Sequence, residues 1–274
     1  MTCASSIAFI GGGNMARSLI GGLVARGQAP GSLRVAEPVP MLRDALAADF
    51  GVHAHATAAQ AADGAGTWVL AVKPQVLREV CESLAPLARG HRPLVVSIAA
   101  GITTGQIDRW LGGGQAVVRT MPNTPALLGA GATGLYANPA VDADRRRAAE
   151  TLMQATGITA WITDEALMDA VTAVSGSGPA YVFLLAEAMQ AAGEAQGLSP
   201  ETARRLVVQT LLGASRMLDE SSDPAAVLRQ RVTSPGGTTQ AAIESFEAGG
   251  FRTLVDQAVA AATRRGRELA AGTR

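Results

Sequence analysis

Lysine occurs once in this 274-residue chain, at Lys73, and histidine three times, at His53, His55 and His91. Beyond residue 91 there is neither imidazole nor amine side chain, which excludes a His-based proton relay or a catalytic lysine from the C-terminal half. The two cysteines, Cys3 and Cys81, are too few for a disulfide framework or a cysteine metal site and fit a reducing compartment. His53 and His55 share an H-x-H spacing, but no third His, Cys pair or nearby acidic cluster completes a metal site, so they read as surface histidines and no metal is expected. His91 reads as a turn residue before a strand. The formal net charge is zero, which argues against a dominant nucleic-acid or membrane-surface role. The N-terminus lacks the charged-then-apolar pattern of a signal peptide, and no stretch approaches the roughly 18 apolar residues of a membrane span. A cytoplasmic protein is the expectation. The basic residues are almost all arginine and alanine is abundant, a bias of composition more than a selection for phosphate binding.

What the chain does have is apolar substance, 48% of its residues, and the length for one large domain or two ordinary ones with a substantial core. Short β-type runs at 6–10, 33–36, 67–72, 94–98 and 116–119 alternate with helical stretches at 15–25, 41–50, 75–87 and 104–111. Such alternation specifies a parallel sheet covered on both faces. Residues 131–137 and 158–162 are candidates for two more strands, with a helix over 142–155 between them. From about residue 164 strand signals stop and helical periodicity takes over, at 179–195, 200–218, 224–231, 240–248 and 251–271. Ser199-Pro200 and Asp223-Pro224 are N-cap and first-turn pairs. The expected organisation is an α/β Rossmann-type dinucleotide-binding domain over 1–163 and an all-α domain over 164–274. Leu184, Leu185, Ala188 and Met189 on one helix, with Leu206, Val207, Leu211 and Leu212 on the next, exceed what one small bundle buries, which predicts a dimer interface.

The first strand runs into Gly11-Gly12-Gly13-Asn14-Met15-Ala16 and then a helix. This G-x-G-x-x-A pattern stands where a dinucleotide fingerprint belongs. Gly11 permits the tight turn, Gly13 lets the backbone approach a pyrophosphate, and Ala16 allows close helix–strand packing, with the anion on the helix N-terminus. Glu37, at the end of the second strand, is the candidate acceptor for a ribose hydroxyl, a role that favours NAD over NADP; the competing reading is a solvated charge. Pro74 holds Lys73 extended at a strand end, where it either reaches a ligand or is an ordinary loop lysine. Asn123, in the twice-proline turn Met121-Pro122-Asn123-Thr124-Pro125, could read an amide or ribose or only stabilise its own turn.

Residues 232–239 read Val-Thr-Ser-Pro-Gly-Gly-Thr-Thr before an apolar-periodic segment (Ala242, Ile243, Phe246). Ser234 is a candidate N-cap and Pro235 a first helical residue, unless the two glycines delay the helix by a turn. Backbone N–H groups from Gly236 to Thr239 then lie at the positive end of a helix dipole, a place for a carboxylate. An ordinary helix cap is the competing reading.

With these pieces assembled, the chain resembles pyrroline-5-carboxylate reductases over essentially its whole length. The resemblance rests on Phe9 to Met15, Ala71-Val72-Lys73-Pro74, Val95 to Gly101, Arg119 to Pro125, Ser175-Gly176-Ser177-Gly178-Pro179-Ala180-Tyr181, the 232–239 octapeptide and Gly250-Phe251-Arg252. It implies reduction of L-1-pyrroline-5-carboxylate to L-proline with NADPH or NADH, the last step of proline biosynthesis, in a homodimer or higher homo-oligomer joined through the helical domain, with the active site between the domains. It further implies that Thr239 lies near the substrate ring nitrogen and that Ser234, Gly236, Gly237 and Thr238 supply the carboxylate pocket and the nicotinamide side. Ile10, Gly11, Gly12, Gly13, Asn14, Met15, Val72, Lys73 and Ala99 would contact the cofactor. The second strand ends Ala-Glu-Pro where many members carry Ser or Thr, so the resemblance leaves the choice between NADPH and NADH open; Arg231 also departs from the usual uncharged residue. A protonated cyclic imine accepts hydride readily, which agrees with the missing His and Lys, and catalysis is then largely orientation. Competing readings are a reductase of another cyclic imine carboxylate and a non-catalytic NAD(P)-binding sensor. A 3-hydroxyacid dehydrogenase is disfavoured, since the second half has no lysine.

Overall fold

The computed structural model describes residues 6–272. Cys3 lies outside them. Among the described residues the strands are β1 (Ile7–Ile10), β2 (Leu33–Ala36), β3 (His53–His55), β4 (Thr67–Leu70), β5 (Leu94–Ser97), β6 (Ala116–Met121), β7 (Gly131–Ala137) and β8 (Gly157–Trp161). They form one sheet in the order β3-β2-β1-β4-β5-β6-β7-β8. Every pairing is parallel except β6 with β7. That exception departs from the all-parallel expectation and has a simple cause. The link between β6 and β7 holds only a short 3-10 turn (Thr124–Leu128), too little chain for a crossover helix, so the strand must return antiparallel.

Helices α1 (Asn14–Ala25), α2 (Pro40–Phe50), α3 (Ala58–Ala62), α4 (Pro74–His91), α5 (Thr104–Trp110) and α6 (Ala143–Gln154) cover the sheet. Residues alternate along each strand between its two faces. Ala8, Ile10, Trp68, Leu70 and Val95 join one buried cluster with Leu77, Leu84 and Ile107 from α4 and α5. Phe9, Val69, Leu94 and Val96 join the other with Leu19, Leu46 and Leu152 from α1, α2 and α6. This two-sided burial is why β1, β4 and β5 read as unbroken apolar runs. Thr57 with Gln60, and Thr103 with Gln106, form capping boxes at α3 and α5, each satisfying two backbone donors at a helix start.

Two compact units divide after Ser177, the first taking back residues 262–272 and the second holding 178–261. Strand signals end near residue 163, but α7 (Met168–Val171) and a π-helical turn (Thr172–Gly176) still pack in the first unit. A Cβ on Gly134 of β7 would lie 2.5 Å from Val171 Cγ1, so that helix sits tightly against the strand. The second unit contains α8 (Gly178–Ala195), α9 (Pro200–Glu220), α10 (Ala225–Arg231), α11 (Thr238–Ala248) and the first part of α12 (Phe251–Gly272). Ser199 caps α9 by accepting from Thr202 N–H. No residue of α8, α10 or α11 is buried within the chain. On α8 and α9, Phe183 and Leu184 are 67% and 66% exposed and Leu206 and Leu212 are also exposed, whereas Val207 is buried.

Candidate functional site

The glycine turn is built by β1 and the strands beside it. Gly11 N–H donates to Ala36 O at 3.0 Å, and Gly11 has φ +108° with a virtual Cβ only 2.7 Å from Ala71 O. Only glycine combines that positive φ with that approach. The turn therefore abuts Ala71 and Val72 at the end of β4. Gly13 is the N-cap of α1, exposed, with open space where a Cβ would be, while Ala16 is buried one turn on. The N-terminal amides of α1 face that space with the positive end of the helix, which suits a pyrophosphate.

The other residues expected around the dinucleotide fall at the same carboxyl edge, in different circumstances. Ile10 and Ala99 are buried, so only their backbones can meet a ligand. Val72 is half-buried, and Lys73 is exposed at the N-cap of α4. Met15 is half-buried against the α1-side core. Glu37 is 8% exposed, not a solvated charge. Its Oε2 accepts from Gly12 N–H at 3.3 Å and its Oε1 from Val39 N–H at 3.0 Å.

Asn123 is engaged at both ends of its amide. Nδ2 donates to Ser175 O and Oγ at 3.2 and 3.3 Å, and Oδ1 accepts from Ala132 N–H at 2.9 Å. Ser175 Oγ in turn donates to Ala132 O. The side chain thus ties the turn after β6 to β7 and to the π-helical turn, reaching beyond its own turn. A part-buried network unread in the sequence centres on Glu165. Glu165 accepts from Thr104 N–H and Oγ1 at 2.7 and 2.9 Å and from the buried Arg119 at 3.3 Å. No local pattern marks this pairing, because its members are 46 and 61 residues apart.

In the second unit, the Ser234–Thr239 segment follows the alternative in which the two glycines delay the helix, and not the Ser-Pro start. The N-cap of α11 is Gly237 and the helix begins at Thr238. Gly237 N–H donates to Ser234 O at 3.0 Å and Gly236 has φ +69°, so Pro235-Gly236 occupies the centre of a type II turn. Gly236 N–H is also taken, by Gln240 Oε1 at 2.7 Å. Of the four amides expected to be open, those of Thr238 and Thr239 have no acceptor among the described residues. Ser234 is exposed and Thr239 half-buried. Gln240, four residues past Gly236, is the residue the sequence reading missed. Beyond the turn, Arg252 grips Glu247 with bonds of 2.7 to 3.0 Å, and the charge-assisted bonding lowers the Glu247 pKa.

His53 is exposed on the edge strand β3, but His55 is half-buried with its Nε2 buried and unpartnered. Burial, then the charges of Arg34 and His53, lower its pKa. His91 ends α4 instead of lying in a turn, 3.3 Å from Asp63. Cys81 is buried and its thiol is pushed up to about 12, chiefly by burial, which leaves it inert. Among the described residues, no group of three or more His, Cys, Asp or Glu side chains could hold a metal, and no helix is long and apolar enough to cross a membrane.

A family model for pyrroline-5-carboxylate reductase dimerisation matches residues 165–269, and one for NADP oxidoreductases, coenzyme F420-dependent, matches 6–101. The pyrroline-5-carboxylate reductase of Pseudomonas aeruginosa is 53% identical over 264 residues, covering 96% of each chain. This chain belongs to the pyrroline-5-carboxylate reductase family. The Haemophilus influenzae reductase is 42% identical over 96% of this chain and 97% of its own. Among solved structures, the Coxiella burnetii pyrroline-5-carboxylate reductase aligns with a TM-score of 0.95 at 46% identity, covering 97% of this chain and 99% of that one. A Plasmodium falciparum pyrroline carboxylate reductase with NADP bound aligns at 0.84 and 29% identity, covering 97% and 98%. Family membership places the Rossmann-type sheet and the helical dimerisation region in one reductase architecture.

Proposed function

We propose that the chain reduces L-1-pyrroline-5-carboxylate to L-proline with NADPH or NADH, the last step of proline biosynthesis, as a cytoplasmic homodimer joined through its helical domain. The observation that carries the site assignment is the pair of open amides at Thr238 and Thr239, at the start of an 11-residue helix and beside a half-buried hydroxyl. The residues of the glycine turn fit a dinucleotide, with a left-handed Gly11, open space at Gly13 and the α1 N-terminus. When bound, the reduced dinucleotide supplies the hydride.

The chain's own contribution is binding and orientation. Ile10, Gly11, Gly12, Gly13, Asn14, Met15, Val72, Lys73 and Ala99 hold the dinucleotide in this reading. Asn123 acts on it through the turn it braces, a change from the direct contact expected. The amides of Thr238 and Thr239 anchor the substrate carboxylate, hydrogen bonds to a charged group being worth about 1.5–3 kcal/mol each. Ser234, Gly236 and Gly237 shape the turn, and their amides at 236 and 237 are already spent on Gln240 and Ser234. The Thr239 hydroxyl stays with the ring nitrogen as it changes from iminium to amine. An iminium arrives protonated from solution, so no relay is required. The functional division follows residue 163, with 164–274 serving substrate binding and dimerisation; the exposed apolar faces of α8 and α9 support the pairing.

The carboxylate anchor is tested by comparing pyrroline-5-carboxylate with 1-pyrroline, which lacks the carboxylate. The expected loss in kcat/KM is about 100-fold or more, since two charge-assisted bonds disappear. Equal turnover of the two imines would remove the 234–239 turn from substrate binding. The six-membered imine carboxylate separates ring-size selectivity from anion binding in the same assay.

A further inference from the structure

The loop that leaves β5 meets a ligand only through its backbone around Ala99. The side chains of Ala99 and Ile102 are buried, and Gly101 has none and a φ of +77°. What the loop offers at the carboxyl edge therefore depends on the path of its main chain, and that path is fixed at both ends. At its start, Thr120 Oγ1 donates to Ser97 O at 3.0 Å and Ala99 N–H donates to Ser97 Oγ at 3.3 Å. At its end, the capping box of Thr103 and Gln106 starts α5. The amide of Thr104 is taken from outside the loop. It donates to Glu165 Oε1 at 2.7 Å, while the Thr104 hydroxyl donates to Oε2 at 2.9 Å. Arg119 holds Glu165 in turn, donating from β6 at 3.3 Å, and it is buried with no other ion pair among the described residues. Arg119 is the register partner of Ser97, so the anchor at the end of the loop stands beside the anchor at its start.

The sheet order reverses between β1 and β4. A dinucleotide lies across such a switch point with one mononucleotide on each side. Glu37, the ribose candidate, follows β2, so the half over β4 to β6 is the one that receives the nicotinamide. We propose that Glu165 is a positioning residue for the nicotinamide half of the dinucleotide, fastening Thr104 to Arg119 and thereby fixing the loop of residues 98–103 against which the ring lies. The inference rests on the dinucleotide reading of the glycine turn, though not on the identity of the imine. Bonds to an ionised carboxylate are roughly twice as strong as neutral ones, which suits an anchor that reaches across 61 residues of sequence. Its product is orientation, and a misplacement of about 1 Å costs on the order of 100-fold in rate. The adenosine half does not depend on it.

The test compares, by calorimetry, a reduced dinucleotide with its fragment lacking the nicotinamide: NADH with ADP-ribose, or NADPH with 2′-phospho-ADP-ribose, using the pair that the wild-type chain binds more tightly. Glu165→Ala leaves the buried Arg119 charge without its partner, which endangers folding. The decisive variant is therefore Glu165→Leu with Arg119→Met, which removes both charges together and leaves Thr104 unanchored. Affinity for the reduced dinucleotide should fall about tenfold or more, against about twofold or less for the fragment. The emission of the bound nicotinamide should move toward that of the free dinucleotide. Thr104→Val deletes only the hydroxyl bond and keeps the charge pair; it should show the same pattern at about threefold, and it stands even where the double variant folds poorly. Equal losses for dinucleotide and fragment mark a purely structural ion pair and overturn the proposal, as does an unchanged dinucleotide affinity. A wild-type chain that binds neither ligand refutes the dinucleotide reading and the proposal with it. The expected pattern without imine reduction counts against the reductase reading alone.

Discussion

The two units of the chain use apolar residues in opposite ways. In the first, β1, β4 and β5 are buried on both faces, and the cores above and below the sheet are closed by the chain's own helices. In the second, Phe183, Leu184, Leu206 and Leu212 face outward, and α8 has no buried residue at all. A sheet domain completed by its own crossovers can present a rigid edge for a dinucleotide. A helical unit with that much bare apolar surface suits pairing with another copy, in keeping with its match to a family model for dimerisation.

The largest effect should come from breaking the second kind of surface. Phe183→Glu with Leu184→Glu places two charges on the exposed face of α8 and should abolish the dimer in analytical ultracentrifugation, with activity lost alongside. A dimer that survives the double change moves the interface elsewhere. Next comes the rigid edge of the first unit. Gly11→Ala forces a side chain to φ +108° against Ala71 O, at about 1–3 kcal/mol of backbone strain before the overlap is counted. Dinucleotide binding measured by calorimetry should disappear or weaken severely, while the dimer persists.

Thr239→Val is expected to be milder, lowering kcat/KM by roughly 10- to 100-fold, about 1.4–2.7 kcal/mol, with the melting temperature unchanged. Wild-type kinetics in this variant would take the hydroxyl out of the mechanism. The smallest effect concerns His55. Its folded-state pKa is lowered by burial, so the unfolded chain binds the proton more readily. Stability is therefore retained above the unfolded value near 6.5 and declines as pH falls below it. Melting curves of His55→Gln should show a flatter pH dependence over that range than the wild type.

The two units also differ in how far the sequence revealed them. The strands and helices of the first unit were legible because apolar runs alternate with helical periodicity. The edge pair β3 and α3 was not, since His-Ala-His is a three-residue strand and Ala58–Ala62 has no polar face to set a period. Only the Thr57…Gln60 capping box marked it locally. Residues 164–177 read as the start of the helical half, yet they pack in the first unit through Val171 against Gly134 and Ser175 against Asn123, contacts with no local signature. At the 234–239 turn the Ser-Pro signal pointed to an early helix, and the Pro-Gly turn signal beside it prevailed. Two of the four amides read as open remain without an acceptor among the described residues; the loss of the other two to Ser234 and Gln240 depended on side-chain and turn geometry that spacing does not specify.

Reductases of this family pass a hydride from a reduced dinucleotide to pyrroline-5-carboxylate, and that activity is the core of the account. Its most direct test follows the loss of NADH or NADPH absorbance on adding pyrroline-5-carboxylate to the purified chain, with proline measured in the same sample. The account predicts one proline formed for each reduced dinucleotide consumed. Dinucleotide binding without its oxidation, or oxidation without proline, would contradict it.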